Sequence, residues 1–192
     1  MKTWGYLREN SEKAKKAGID LDTGLKRTGL DEYLKVIFPK TNDWIYDKEI
    51  EKTGSKRRPD YRSESLKLII EFDGLPHYMS PLSIINDQKS TMFYKELGYK
   101  VVRIPYFIQL SNKAVKELFG VEVKEPLFDE KIPSLNVKSK CSPAFLCLAG
   151  IERMAKEFQR FPEQFETNLK HLKEIGNDFL TGASLLEYFY NR

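Results

Sequence analysis

The sequence contains little that would indicate a structural zinc site, a membrane segment or secretion. Cys141 and Cys147 are its only cysteines, and it has two histidines among 192 residues. Because a structural zinc takes about four cysteine or histidine ligands, no zinc is expected, and both cysteines are interpreted as small core residues of a helix. No stretch approaches the ~18–20 apolar residues of a membrane span, and residues 1–5 do not lead into the apolar core of a signal peptide. A cytoplasmic protein without a membrane partner is therefore expected.

The overall charge is also small, and the local charge is more informative. The net charge of +4 favours anionic partners only mildly, while 41% hydrophobic and 31% charged residues are typical of a globular chain. Basic residues crowd around Asp60: Lys52, Lys56, Arg57, Arg58, Arg62 and Lys67. Such a cluster is either the solvated face of a hairpin or a rim that contacts phosphates.

The pattern of apolar residues, glycines and prolines divides the chain into four parts. These are an N-terminal helical segment (1–27), an α/β core (28–120), a linker (121–140) and a helical extension (141–192). The core is predicted to contain a helix at 29–38 capped by Thr28, strands at 43–50, 56–61 and 66–73, a loop at 74–85, a helix at 87–97, a strand at 99–105 and a helix from Ser111 or Asn112 to Gly120. A helix between two strands favours a parallel pair with a right-handed crossover.

Acidic residues occur where an ordinary core strand would avoid them. Alternation along strand 66–73 places Glu71 and Asp73 on the face opposite Ile70 and Phe72, at the end of the strand. Carboxylates are rarely buried unless they are paired or bind a metal. Asp60, in the motif Arg58-Pro59-Asp60, lies near the neighbouring strand. Asp60 and Glu71 are therefore predicted to hold a hard cation, for which Mg²⁺ needs only one or two carboxylates.

This ordered set resembles the PD-(D/E)XK, or restriction-endonuclease-like, nuclease superfamily, and is most similar to its very-short-patch-repair-like branch. The resemblance covers roughly residues 28–108, from the Glu32 helix through Arg58-Pro59-Asp60, Glu71-Phe72-Asp73-Gly74 and His77-Tyr78 to Val101-Val102-Arg103-Ile104. It implies an α/β fold with an αβββαβ core, in which helices flank a mixed sheet. It also implies a Mg²⁺-dependent DNA endonuclease in which metal-activated water attacks the phosphodiester in line. Mn²⁺ would substitute for Mg²⁺.

The resemblance also suggests roles for individual residues. The backbone carbonyl of Phe72 and the side chain of Glu32, or of the adjacent Asp31, would add metal ligands. The lysine that the pattern places two residues after Glu71 is Asp73 here, and an aspartate cannot donate a hydrogen bond as a lysine does. Lys89 from the following helix or His77 would compensate, and Asp73 would hold a second metal or orient His77.

The remaining expectations concern substrate contacts and alternatives. Phosphate contacts are expected from Lys56, Arg57, Arg58, Arg62 and Arg103, although Arg103 is also a candidate partner for an acid inside the core. One alternative is a nucleic-acid-binding module that has lost cleavage, which Asp73 favours. The other is an assembly subunit that acts through the helical extension. Cleavage of both strands would favour a homodimer.

Overall fold

The computed structural model describes residues 5–7, 25–26, 30–51, 53–124 and 127–192. Its strands are β1 (Gly5–Leu7), β2 (Leu25–Lys26), β3 (Trp44–Tyr46), β4 (Tyr61–Ser63), β5 (Leu68–Asp73) and β6 (Lys100–Pro105). Its α-helices are α1 (Leu30–Ile37), α2 (Pro81–Glu96), α3 (Asn112–Phe119), α4 (Leu148–Phe158), α5 (Pro162–Ile175), α6 (Asp178–Thr181) and α7 (Ala183–Tyr190), with 3₁₀ turns at Leu75–Tyr78 and Pro143–Phe145.

The N-terminal segment differs from its prediction where it is described. Gly5–Leu7 lies inside the predicted helical segment but forms a strand that pairs antiparallel with Leu25–Lys26. The remainder of the segment, together with the predicted cap Thr28 and the basic residue Lys52, lies outside the described residues.

The central feature is a four-stranded mixed sheet in the order β3-β4-β5-β6. The first three strands are antiparallel neighbours, and β6 runs parallel to β5 after the crossover through α2. The sequence predicted this order of helix, three strands, helix and strand, and the parallel pair is confirmed. The second strand was placed at 56–61, whereas the ladder contains Tyr61–Ser63. The long loop at 74–85 is instead a 3₁₀ turn followed by α2, which begins at Pro81 with Ser80 as its N-cap.

The two faces of β5 pack against different layers. Leu68, Ile70 and Phe72 belong to the main core, whereas Ile69 packs with Tyr94 of α2 and with Tyr99. Helix α1 lies on the main-core side, through Leu30, Tyr33, Leu34 and Ile37. The face that carries Ile69, Glu71 and Asp73 is therefore the one covered by α2. Leu66, predicted to share the core face, lies exposed in the turn before the strand.

The C-terminal helices share this main core. Residues 121–140, expected to be a linker, contribute Leu127 and Leu135 to it, and α4 contributes Ile151, Met154 and Phe158. Helix α4 approaches the 3₁₀ turn so closely that a Cβ on Gly150 would lie 1.9 Å from the carbonyl oxygen of Tyr78. No α-helix among the described residues is long and apolar enough to cross a membrane.

Candidate active site

Asp60 and Glu71 come together at the junction of β4 and β5. Asp60 immediately precedes β4, whose Tyr61 pairs with Ile70 of β5. The backbone N–H of Asp60 donates to Oε2 of Glu71 at 3.4 Å, and the N–H of Phe72 donates to Oδ2 of Asp60 at 2.8 Å. Each acid is thus held by the backbone of the other's strand. Asp60 is buried and Glu71 is partly exposed.

The environment of Glu71 disfavours its negative charge. Burial raises the pKa of Glu71 from 4.5 to about 7, and the nearby carboxylates of Asp60 and Asp73 add to the effect more than Arg103 opposes it. Burial raises the pKa of the Tyr94 hydroxyl, on α2, and the nearby charge of Glu71 raises it further. Within the described part of the chain, no lysine or arginine lies within ion-pair distance of Glu71.

Asp73 lies in a different electrostatic setting, although it is only two residues further along the same face of β5. It is fully buried, and its Oδ1 and Oδ2 accept a fork of hydrogen bonds from Nη2 and Nε of Arg103 at 2.5 and 2.7 Å. Arg153 of α4 donates a further hydrogen bond to Oδ2. Two guanidinium groups therefore neutralise Asp73.

Asp87 of α2 extends this cluster to His77. Its Oδ1 lies 3.0 Å from Nη2 of Arg103 and 2.9 Å from Nδ1 of His77, and its Oδ2 accepts from Nη1 of Arg153 at 2.7 Å. Burial lowers the pKa of His77, but the hydrogen bond to Asp87 and the charge of Asp73 outweigh burial and leave the pKa raised. Arg153 also donates to Glu157 at 2.9 Å and lies over the Tyr78 ring.

The spacing of Asp73, His77 and Asp87 could hold a metal ion, because one ligand atom from each lies within 4.8 Å of the others. Their oxygens, however, are already engaged by Arg103 and Arg153. A divalent cation there would have to displace two buried guanidinium groups, at the cost of leaving them unpaired. We therefore interpret this group as an ion-pair cluster that joins β5, β6, α2 and α4.

The predicted basic residues fall into two groups. Lys56, Arg57 and Arg58 are exposed beside the acid pair, and Arg58 forms an ion pair with Glu49 at 3.4 Å. The other two are held inside the fold, and for Arg103 this is the alternative expected from the sequence, a pairing with an acid of the core. Arg62 is buried on β4, with Nε 3.2 Å from Oε1 of Glu64, and Arg103 is held by Asp73 and Asp87.

The two remaining site predictions gain no support. Lys89 is exposed, and it lies two residues after the buried Asp87 on α2, about 200° around the helix and hence away from the sheet. The side chain of Glu32 lies outside the described residues. Its helix, α1, packs against the main core, on the opposite side of the sheet from Glu71.

Three residues of the site were missed in the sequence. Asp87 and Tyr94 lie on one face of α2, seven residues apart, as residues two helical turns apart do; that spacing could have identified them. Arg153 lies 80 residues after Asp73 along the chain, within an apolar stripe of α4. No local signal marks it, because its role depends on how α4 docks.

Comparisons with protein families, with curated proteins and with solved structures find no match to this chain. The resemblance to the PD-(D/E)XK superfamily therefore rests on the residues of this chain and their arrangement.

Proposed function

We propose that this protein is a Mg²⁺-dependent endodeoxyribonuclease with a restriction-endonuclease-like core. The observation that carries the proposal is the pairing of Asp60 with Glu71, in which Glu71 is left with a pKa of about 7. A protein that keeps two carboxylates together, and so raises the pKa of one of them, normally uses them, either with a bound cation or in acid–base chemistry. Mn²⁺ is the natural substitute for Mg²⁺.

The contrast with Asp73 supports a cation rather than a purely structural pair. The same sheet face contains carboxylates neutralised by arginines, so the fold has the means to compensate buried acids. Glu71 receives no such compensation from the described residues. The ligands would be carboxylate oxygens of Asp60 and Glu71 and, as the resemblance implies, the backbone carbonyl of Phe72, and oxygen ligands of this kind suit Mg²⁺.

The residues of the chain would act as follows. Asp60 and Glu71 would hold the ion, which would supply Lewis-acid stabilisation of the phosphate and lower the pKa of water. Glu71 must be deprotonated to bind a cation, so its raised pKa makes binding favour pH above about 7. The hydroxyl of Tyr94 lies close enough to Glu71 for the two groups to affect each other's charge. His77 is committed to Asp87 through Nδ1, which leaves Nε2 as the nitrogen with which it would exchange a proton.

Nicking of supercoiled plasmid with Mg²⁺ or Mn²⁺ tests the proposal. We expect the wild type to nick, and Asp60→Asn and Glu71→Gln to abolish nicking while DNA binding is retained. Asp129→Asn, at an exposed position far along the chain, is the matched control and should nick normally. Wild-type protein that binds DNA without nicking it in either metal would refute the nuclease assignment.

One observation favours a second candidate, a nucleic-acid-binding module without cleavage. The position that carries a lysine in the family pattern is Asp73, which is buried between two arginines, and Lys89 is directed away from the sheet. Binding of DNA by the wild type, unchanged by Glu71→Gln and without nicking in any metal, would support this candidate.

A further inference from the structure

Arg57 is held in place by contacts that exposed arginines rarely have. Its guanidinium carbon lies 5.0 Å from the centre of the Phe93 ring, and its Nε donates to Oγ of Ser90 at 3.2 Å. Its Nη1 donates to Oγ of Ser55 at 3.4 Å. A surface arginine normally loses side-chain entropy when it binds a partner. Here part of that loss has already occurred on folding, so the guanidinium is pre-organised.

The charge of Arg57 is not neutralised by the part of the protein that the structure describes. Arg58, Arg103, Arg153 and Arg160 each lie within 4 Å of a carboxylate, whereas no described carboxylate lies that close to Arg57. The guanidinium has five N–H groups. Two are used by the serines, and the other three have no partner among the described residues.

The position of this cation relates it to the acid pair. Phe93 and Ser90 belong to α2, and the residue after Phe93 is Tyr94, whose hydroxyl lies close enough to Glu71 for that carboxylate to raise its pKa, beyond the effect of burial. The positive charge of Arg57 is close enough to act on the Tyr94 hydroxyl, whose pKa it lowers against the larger effect of burial. An unpaired guanidinium therefore lies at the exposed edge of the site formed by Asp60 and Glu71.

We propose that Arg57 binds a backbone phosphate of the nucleic-acid strand next to the two carboxylates, and so supplies the cation that Asp73 cannot. This inference rests on the proposed function and deepens it. A fork of N–H donors matches two phosphate oxygens, which a lysine ammonium cannot match in geometry. The ring of Phe93 and the hydroxyl of Ser90 position the fork before the substrate arrives. Since phosphates are the same in every sequence, Arg57 would contribute affinity and register without base preference.

The test measures binding and cleavage in parallel. Binding is followed by fluorescence anisotropy with a short labelled duplex and with its single strand, in Ca²⁺, over a series of salt concentrations. We expect Arg57→Ala to weaken binding about tenfold and to reduce the slope of log affinity against log salt by about one. Arg57→Lys should recover the salt slope but only part of the affinity, because the fork and the ring contact are lost.

Arg160→Ala is the matched control. Arg160 also lies over a phenylalanine ring, Phe161, at 5.4 Å, but it is paired with Glu117 at 3.0 Å. The variant Arg160→Ala should leave both the affinity for DNA and the salt slope unchanged. If Arg57→Ala behaves like Arg160→Ala, the inference is wrong. Wild-type protein that neither binds nor nicks DNA would also overturn it.

The outcomes separate this inference from the nuclease proposal. Normal nicking and binding by Arg57→Ala, together with loss of nicking in Asp60→Asn, would overturn the role of Arg57 and leave the nuclease proposal standing. Binding by a wild type that does not nick, weakened tenfold in Arg57→Ala, would refute the nuclease and retain the phosphate contact.

Discussion

Replacing Glu71 by glutamine should stabilise the metal-free protein, and only at high pH. The pKa of Glu71 is raised from 4.5 to about 7, so the folded protein binds a proton that the unfolded chain has released between these values. Stability therefore falls as pH rises through this interval and stays reduced above it. Each pKa unit corresponds to ~1.4 kcal/mol, so the ionised Glu71 costs the folded state about 3 kcal/mol.

Thermal unfolding in EDTA measures this cost directly. Glu71→Gln keeps the shape of the side chain and an oxygen that can accept from the Asp60 N–H. At pH 8 we expect the free energy of unfolding to rise by up to ~3 kcal/mol, which is on the order of 10 °C in Tm for a chain of this size. At pH 4.5 the two proteins should unfold together. Mn²⁺ should then raise the Tm of the wild type at pH 8 and not that of the variant, because only the folded wild type binds it.

Glu157→Gln is a matched comparison with the opposite sign. Glu157 is also a buried glutamate with a raised pKa, but it accepts hydrogen bonds from Arg153 at 2.9 Å and from Tyr78 at 2.5 Å. Its substitution removes one partner of a buried ion pair and should destabilise the protein. The reasoning about Glu71 would be refuted if Glu71→Gln lowered the Tm at pH 8, or changed it equally at pH 4.5 and pH 8.

Three further predictions concern the cluster beside the acid pair. Arg153→Met should cost about 3–5 kcal/mol in urea unfolding, because it leaves buried carboxylates undercompensated, whereas Lys156→Met on the exposed side of the same helix should cost less than ~1 kcal/mol; equal effects would refute the buried cluster. Gly150→Ala should cost about 1–3 kcal/mol or more, since the new Cβ would lie 1.9 Å from the Tyr78 carbonyl oxygen, and a Tm equal to that of the wild type would show that α4 docks otherwise. The ring of His77 should titrate above pH 6.5 in NMR spectra, so the stability it contributes is complete below 6.5 and is lost as pH rises through its folded pKa; a midpoint below 6.5 would contradict the contact with Asp87.

Local signals were sufficient for much of the fold. Alternation along Leu68–Asp73 correctly separated the core face from the face with Glu71 and Asp73. The cap Ser111 and the stop at Gly120 are confirmed for α3. These features depend on steric and hydrogen-bonding properties of one or two residues, which hold in almost any tertiary context.

Serine followed by proline is a less reliable signal of a helix start, because tertiary packing decides whether an α-helix forms there. At Ser142, serine followed by proline begins only a 3₁₀ turn, and α4 begins later, with Cys147 as its cap. At Ser80 that signal marks the true start of α2 but was passed over, because the first turns of α2 carry the exposed Leu82 and Ile85 and so show no apolar face. Arg62 was assigned to the surface because β4 was placed too early.

The sequence was sufficient to predict that Asp60 and Glu71 lie close together on one sheet. It was not sufficient to predict which residues surround them. Asp60 and Glu71 are brought together by strand pairing between neighbours in sequence, which alternation can anticipate. The cluster that holds α2 over them depends on α4, whose approach requires the absence of a side chain at Gly150. Contacts that depend on the packing of distant elements in the core produce no periodic pattern or motif in the sequence.

Arg153 connects this long-range packing to the candidate chemistry. It binds Asp73 on β5 and Asp87 on α2 at once, and so fixes the helix against the strand. Helix α2 in turn presents Tyr94 to Glu71, and Phe93 to Arg57. The C-terminal helices therefore cover the core and also help to position Tyr94 and Phe93 beside the acid pair. In our proposal, a cation and a phosphate would meet side chains whose positions depend in part on the docking of α4.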